Sequence, residues 1–516
     1  MGYWSILLSI VIGALIIYYY FFKKFNFFKR HNVLHLPSLP VLGVMAPVLF
    51  RQMSFGGFLN FLYNYRPDAK YYGFYAMTLP VFLFRDPELI KAIFIKDFKS
   101  FHDRRTFADV NDPLINKNMF SLQGKKWREV RTLLSPAFTA GKMKFMFSLM
   151  SECAVNFATF MSSLSKDQNE LELKEAFTKY TNDVIATCAF GIKMDTMRDP
   201  TNKFYMHGRN STRFLEFRTI MLIFLKTFSI GRILNLRLVD EEVTNYFTNI
   251  IKTIIKKRDT ENITRPDMLQ LMMDVRGKAG KELDIEEMVA QAFVFFFAGF
   301  ETTSTAITFL TYEIAMNPDV QARLQQDIDK VLEETNGQVT YEAINQLQYL
   351  DAVILEATRM YPSNSFIERV CVKDYELPPT LPGEKPFTMK KGMVVWVPVY
   401  SLQHDEKYYD EPDKFRPERF MNNTNYENSP YYTTFGIGPR MCIGKRFAML
   451  EIKLLLFHLL ARCELKPCSR TTIPMRLDNK GLQMGVEGGL WLSIWPRSDV
   501  HPALASPIIN DDTVNS

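Results

Sequence analysis

One stretch of this chain, from Ile285 to Met316, is patterned as a single helix, and its middle is so apolar that any fold must be built around it. At ~1.5 Å per residue, some thirty residues make a rod of about 45 Å, long enough to cross a whole domain. Asp284, with Glu287 three residues on, forms a capping-box pair at one end, and Asn317-Pro318 closes the other. Residues 288–310 are apolar enough to raise a membrane span as the alternative. Against lipid stand Gln291, Glu301 and the run Thr302, Thr303, Ser304, Thr305, because ionisable groups inside a bilayer cost several kcal/mol. The pattern predicts a buried core helix.

Around it, helical patterning dominates residues 125–350. Aromatic and β-branched residues broken by Pro80 predict a hairpin over 71–84, and Asp86-Pro87 starts a helix through Asp97. Short strands are expected over 366–371, 394–397 and 491–495. With 516 residues there is ample chain for a deep interior, which 43 Phe and 23 Tyr suit. The expected fold is mainly α with small β-sheets: one large domain over 49–497 and a loose tail over 498–516. A net charge of +6 is too mild and dispersed for nucleic-acid binding as the main task. The six cysteines, Cys153, Cys188, Cys371, Cys442, Cys463 and Cys468, show neither disulfide-scaffold density nor a paired metal spacing. Reduced, cytosol-facing thiols are expected.

Residues 3–22 carry no charge and Lys23, Lys24, Lys29 and Arg30 follow, which predicts a single-pass anchor over 1–22 with the body on the cytosolic side. No small-x-small cleavage site follows it, and no Arg-rich amphipathic presequence precedes Lys23. Residues 23–48 read as a basic stop and a hinge stiffened by Pro37, Pro40 and Pro47. On this topology the sequons at Asn210, Asn262 and Asn422 stay bare.

The chemistry is concentrated in residues 435–444, Phe-Gly-Ile-Gly-Pro-Arg-Met-Cys-Ile-Gly. Cys442 reads as the thiolate ligand of a haem iron. Backbone N–H groups at Ile443 and Gly444 are placed to stabilise the sulfur, Phe435 to shield it from water, and Arg440 to reach a haem propionate. Gly438 and Gly444 permit backbone that other residues would strain.

At Phe435, Gly438, Arg440, Cys442 and Gly444 the chain resembles the cytochrome P450 superfamily, microsomal class, whose signature is intact here. The resemblance implies haem b ligated by the Cys442 thiolate, which pushes electron density towards O–O cleavage. Ala298-Gly299-Phe300-Glu301-Thr302-Thr303 matches the family's oxygen-binding motif. Ala298 and Gly299 are small enough for a haem face to approach the backbone. Thr302 can disturb the helical ladder, and Glu301 with Thr302 forms the proton relay. Glu356 and Arg359, joined by Arg419, are implied to be a buried network holding the loop that presents Cys442. Trp127, Arg131, Arg369 and Arg104 are implied haem contacts, with Arg105 beside Arg104 as its rival.

Lys125, Lys126 and Arg128 form a basic cluster suited to an acidic flavoprotein. The implied partners are a separate NADPH-cytochrome P450 reductase, with cytochrome b5 a further candidate donor, at the endoplasmic reticulum membrane. Residues 133–144 and the Ile-Glu-Arg-Val-Cys strand look like the animal clan of vertebrate family three and insect families six and nine, family nine above all. That points to a monooxygenase acting on lipophilic xenobiotics such as insecticides or plant compounds. By analogy, substrate contacts fall at Phe107, Val110, Leu114, Phe120, Phe214, Phe217, Phe297, Ala298, residues 363–366 including Phe366, Leu482 and Met484, where core packing is the alternative. The rival functions are a haem-thiolate isomerase or dehydratase, which could dispense with the Glu301-Thr302 relay, and a non-catalytic haem sensor or carrier.

Overall fold

The computed structural model describes residues 4, 8, 10–13, 18, 24–105, 112–212, 237–265, 267–274, 276, 283–421 and 429–504. Most of the expected anchor, together with Phe107, Val110, Phe214, Phe217 and Asn422, lies outside the described residues.

The long helix runs Ile285–Met316. The Asp284 side chain accepts from the Glu287 amide at 2.6 Å and the Glu287 carboxylate accepts from the Asp284 amide at 3.2 Å, closing the capping box. Among the described residues it alone is long and apolar enough to cross a membrane, and most of it is buried in protein. The helices Leu173–Ile185, Lys203–Thr212, Glu241–Glu261 and Gln348–Met360 pack around it. Burial on most sides accounts for its apolar length, and its polar side chains find partners in the segments around it. Gln291 accepts from the Met119 amide at 2.8 Å and donates to the Lys117 carbonyl at 2.7 Å.

A second pair, Ala140–Ser162 and Lys445–Arg462, packs against each other below the long helix. Lys445–Arg462 begins immediately after the Cys442 loop, so that loop is fixed at one end to a helix whose face is core.

The main sheet has four strands in the order Tyr71–Ala76, Leu79–Phe84, Val394–Val397, Ile367–Val370. The first two form the expected hairpin, and Val394–Val397 pairs parallel to Leu79–Phe84. Asp86 caps the helix Pro87–Lys91 through the Leu89 amide at 2.8 Å, and the chain then widens into a π turn over Ala92–Lys96. The hinge segment lies along the hairpin, with Leu36 N–H donating to Gly73 at 2.8 Å and Val44 N–H to Tyr75 at 2.9 Å. A three-stranded sheet, Glu170–Glu172, Trp491–Pro496, Cys463–Lys466, and the pair Tyr375–Leu377 with Phe387–Met389 complete the β structure. Of these, only Trp491–Pro496 was expected. The others are three or four residues long and mix charged or polar residues with apolar ones, too short for a period to be read.

Candidate active site

Two short glycine-dependent turns shape the loop before Cys442. Gly436 and Gly438 have φ of +73° and +72°, and a Cβ on Gly438 would stand 2.1 Å from the Phe94 carbonyl oxygen. Only glycine fits at Gly438. The turn Gly438–Arg440 follows, and the Cys442 amide donates back to the Phe435 carbonyl at 2.7 Å. Cys442 is thereby held three residues before the helix Lys445–Arg462, where backbone amides favour a thiolate.

The Gly444 amide bonds the sulfur, while Ile443 packs its side chain on the core. Enclosure by protein raises the thiol pKa, and Gly444, Arg131, Arg104 and Lys445 pull it back down. Cys442 is nevertheless exposed, whereas the other five cysteines are buried or half-buried. Cys442 thus has both deep surroundings and an accessible surface, the combination expected of a side chain that borders an internal space. Ala298, in the middle of the buried long helix, is exposed in the same way.

A network of buried hydrogen bonds holds the loop from behind. The Arg359 guanidinium donates to both oxygens of Glu356, at 2.7 and 3.0 Å, and Arg419 donates to Glu356 at 2.9 Å. Arg359 also reaches the carbonyls of Gln403 and Pro412, each at 2.7 Å. Gln403 passes the constraint on, since its side-chain oxygen accepts from the Thr433 amide at 2.9 Å and the Thr434 hydroxyl at 3.0 Å. Phe435 is the next residue. Gln403 carried no sequence signal, because a lone glutamine in a helical stretch matches no motif.

Beside Cys442 gather the guanidinium groups of Arg104, Arg131, Arg369 and Arg440. Arg131 donates to the Met441 carbonyl at 3.0 Å. Arg440 stacks over Trp127 at 4.1 Å and donates to the Leu122 carbonyl at 2.7 Å. Arg369 is 1% exposed and lies over Phe94, and Arg104 lies over Phe120 at 4.1 Å. Burial and then mutual repulsion lower their pKa values, that of Arg104 to about 10 and that of Arg440 to about 9, with Arg369 also pushed far down. The Nε atoms of Arg369 and Arg440 are buried without a partner.

Cations crowded together with unused donors need an anionic guest. A haem edge with two propionates fits this donor set, and the Cys442 sulfur fits the iron. Of the neighbours Arg104 and Arg105, Arg104 joins this group, whereas Arg105 turns to Glu368 at 3.2 Å.

On the long helix, the Thr302 hydroxyl donates to the Ala298 carbonyl at 2.7 Å, and Ser363 donates to the Thr302 carbonyl at 3.0 Å. The helix stays continuous, so the expected disturbance of the ladder is replaced by back-bonding. Glu301, 8% exposed, pairs instead with Lys174 at 2.8 Å. That lysine also donates to the Ser304 and Thr305 hydroxyls at 2.8 and 2.7 Å and is itself about one-third exposed. Lys174 was missed because it comes from another helix, 127 residues earlier in the chain. A Cβ on Gly299 would meet the Ile185 side chain at 3.1 Å, so its small size also serves helix packing, and Ala298 is the more exposed of the two.

Of the expected substrate contacts that are described, Leu114 and Met484 are buried in the helical core. Core packing wins there. Phe366 packs on Phe55 and Trp396, and Leu482 joins the same cluster. Phe120 is half exposed beneath Arg104, and Phe297 is partly exposed one residue before Ala298. In the basic cluster, Lys126 is engaged by Glu287 at 2.7 Å, and Lys125 and Arg128 are exposed.

Comparison with known proteins bears on this arrangement directly. The family model described as Cytochrome P450 matches residues 36–492. Cytochrome P450 9e2 of Blattella germanica is 40% identical, over 96% of this chain and 98% of its own. Cytochrome P450 6j1 of the same species is 35% identical over 93% and 95%, and probable cytochrome P450 9f2 of Drosophila melanogaster 34% over 96% and 100%. With a cysteine at a helix start, an arginine cluster suited to propionates, and near full-length similarity, this chain belongs to the cytochrome P450 family of haem-thiolate monooxygenases.

Proposed function

We propose that this protein inserts one atom of O2 into lipophilic small molecules, drawing electrons from NADPH through a separate reductase, and that its substrates are xenobiotics such as insecticides or plant compounds. The observation that carries the reading is the placement of Cys442 at an interior opening beside buried, underpartnered arginines. Bound there, haem supplies the activation of O2.

The chain's own residues do the rest. Arg104, Arg131, Arg369 and Arg440 hold the propionates, and Gly444 stabilises the thiolate. The exposed Ala298 leaves room above the helix backbone. Lys174, partly open to solvent and paired with Glu301, gives protons a way in from the surface, and the Thr302 hydroxyl is the donor nearest the open Ala298 turn. The apolar partly exposed rings of Phe120 and Phe297 favour a lipophilic substrate.

Exposed Lys125 and Arg128 offer an acidic reductase a landing site whose effect on rate falls with salt. Residues 1–22 anchor the body at the endoplasmic reticulum membrane, in keeping with the exposed apolar side chains of Trp4, Leu8 and Ile10. The test is turnover of a lipophilic panel, insecticides included, by microsomes containing the protein and added reductase. NADPH-dependent, oxygenated products are expected. Thiolate haem without any reductase-supported NADPH use would instead favour the sensor or carrier reading.

A further inference from the structure

Asp103 sits among the arginines, and nothing in the haem-ligand motif accounts for it. It is 7% exposed. One oxygen, Oδ1, accepts from the Gly124 amide at 2.8 Å, interacts with His102 Nδ1 at 2.7 Å and accepts from Arg440 Nη2 at 3.4 Å. Its carbonyl accepts from the Val370 amide at 2.8 Å in an isolated β-bridge.

Apart from the contact with His102, each of these ties leads to one of the cations. Arg104 is the next residue in the chain, and Val370 directly follows Arg369. Gly124 is the first residue of the helix Gly124–Leu134, which carries Trp127 and Arg131, and Gln123 gives that helix no side-chain cap. The Asp103 carboxylate fills that capping role from outside the helix. It is also, among the described residues, the one carboxylate hydrogen-bonded to any of the four guanidinium groups. Glu368, the other carboxylate nearby, is taken by Arg105 and the Trp396 indole.

We propose that Asp103 is a positioning residue that registers the four haem-edge arginines, drawn from four separate chain segments, and, by its negative charge, lowers the haem reduction potential. The proposal rests on the haem-thiolate reading. A residue tied to the strand, the helix and Arg440 at once fixes their mutual spacing before the propionates arrive. A carboxylate in this enclosed place opposes the extra electron of the reduced state.

The experiment compares the full-length haem-loaded wild type with Asp103→Asn and Asp103→Ala. The readouts are potentiometric titration of the haem and the rate of haem transfer to apomyoglobin. Asparagine keeps an acceptor for Gly124 and removes the charge. It is expected to raise the potential, with about three- to tenfold more reduced protein at a fixed applied potential, tenfold being ~59 mV for one electron, and to leave haem transfer near wild type. Alanine removes the acceptor too and is expected to speed haem transfer roughly tenfold as the register loosens. An unshifted potential in Asp103→Asn overturns the proposal, whether or not Asp103→Ala folds. So does an Asp103→Asn protein that takes up no haem, because its acceptors are intact. A wild type without thiolate-ligated haem would instead defeat the reading beneath it, and the wild-type spectrum recorded first separates the two failures.

Discussion

Arg359→Ala is expected to give a protein that takes up essentially no haem. Arg359 and Glu356 are both fully buried and bonded through two oxygens, with Arg419 as third member. Removing Arg359 leaves the buried Glu356 carboxylate with Arg419 as its remaining guanidinium partner and one oxygen stripped of its charged donor, and breaking a buried pair in this way costs on the order of 3–5 kcal/mol. The damage would not stay local. The same guanidinium fixes the carbonyl of Gln403, and the Gln403 side chain fixes the backbone and hydroxyl just before Phe435. Slack in that chain frees the loop that aims Cys442. The check is the haem-to-protein ratio after purification, beside the far-ultraviolet spectrum. Arg359→Lys is expected to fail nearly as badly, since an ammonium cannot make the two-oxygen contact. Full haem occupancy in a folded Arg359→Ala protein would remove the network from any role in holding the loop.

Glu301→Gln is expected to slow oxidation by about a hundredfold, the usual scale for a lost proton-transfer group, with haem content unchanged. The geometry makes the effect separable from simple destabilisation. Glu301 is anchored by Lys174, which has the Ser304 and Thr305 hydroxyls as further acceptors, so the amide variant keeps a polar partner in place. Lys174→Met is expected to fall between wild type and Glu301→Gln, because it removes the solvent-facing end of the path and leaves the carboxyl. If Glu301 only braces the helix, Glu301→Gln will lower the melting temperature and leave turnover per haem untouched. Product formation and NADPH consumption measured side by side decide between these.

The Ile285–Met316 helix was legible to its ends because its signals are local: a capping box at one end, Asn-Pro at the other, and length that only a central helix satisfies. The parallel placement of Val394–Val397 beside the hairpin was not legible, since register between strands some three hundred residues apart is set by packing rather than by neighbours in sequence. At the site the same division holds. Cys442, Arg440 and the Glu356 and Arg359 pair lie in compact motifs, so each could be named from neighbours in the sequence. Lys174, Gln403 and Asp103 act across long sequence separations as single polar residues, and only the folded chain brings them to Glu301, Thr434 and Arg440. The packing of Gly299 against Ile185 was not legible either, because a small residue does not say which neighbour its size accommodates.

The most direct test of the account is the difference spectrum of dithionite-reduced, carbon-monoxide-bound protein in expressing microsomes. The account predicts the strongly red-shifted Soret band of thiolate-ligated haem, absent from Cys442→Ser made alongside. A Soret band at the position of histidine-ligated haem in folded wild-type protein, or an unchanged band in Cys442→Ser, would remove Cys442 as the iron ligand and the proposed monooxygenase mechanism with it.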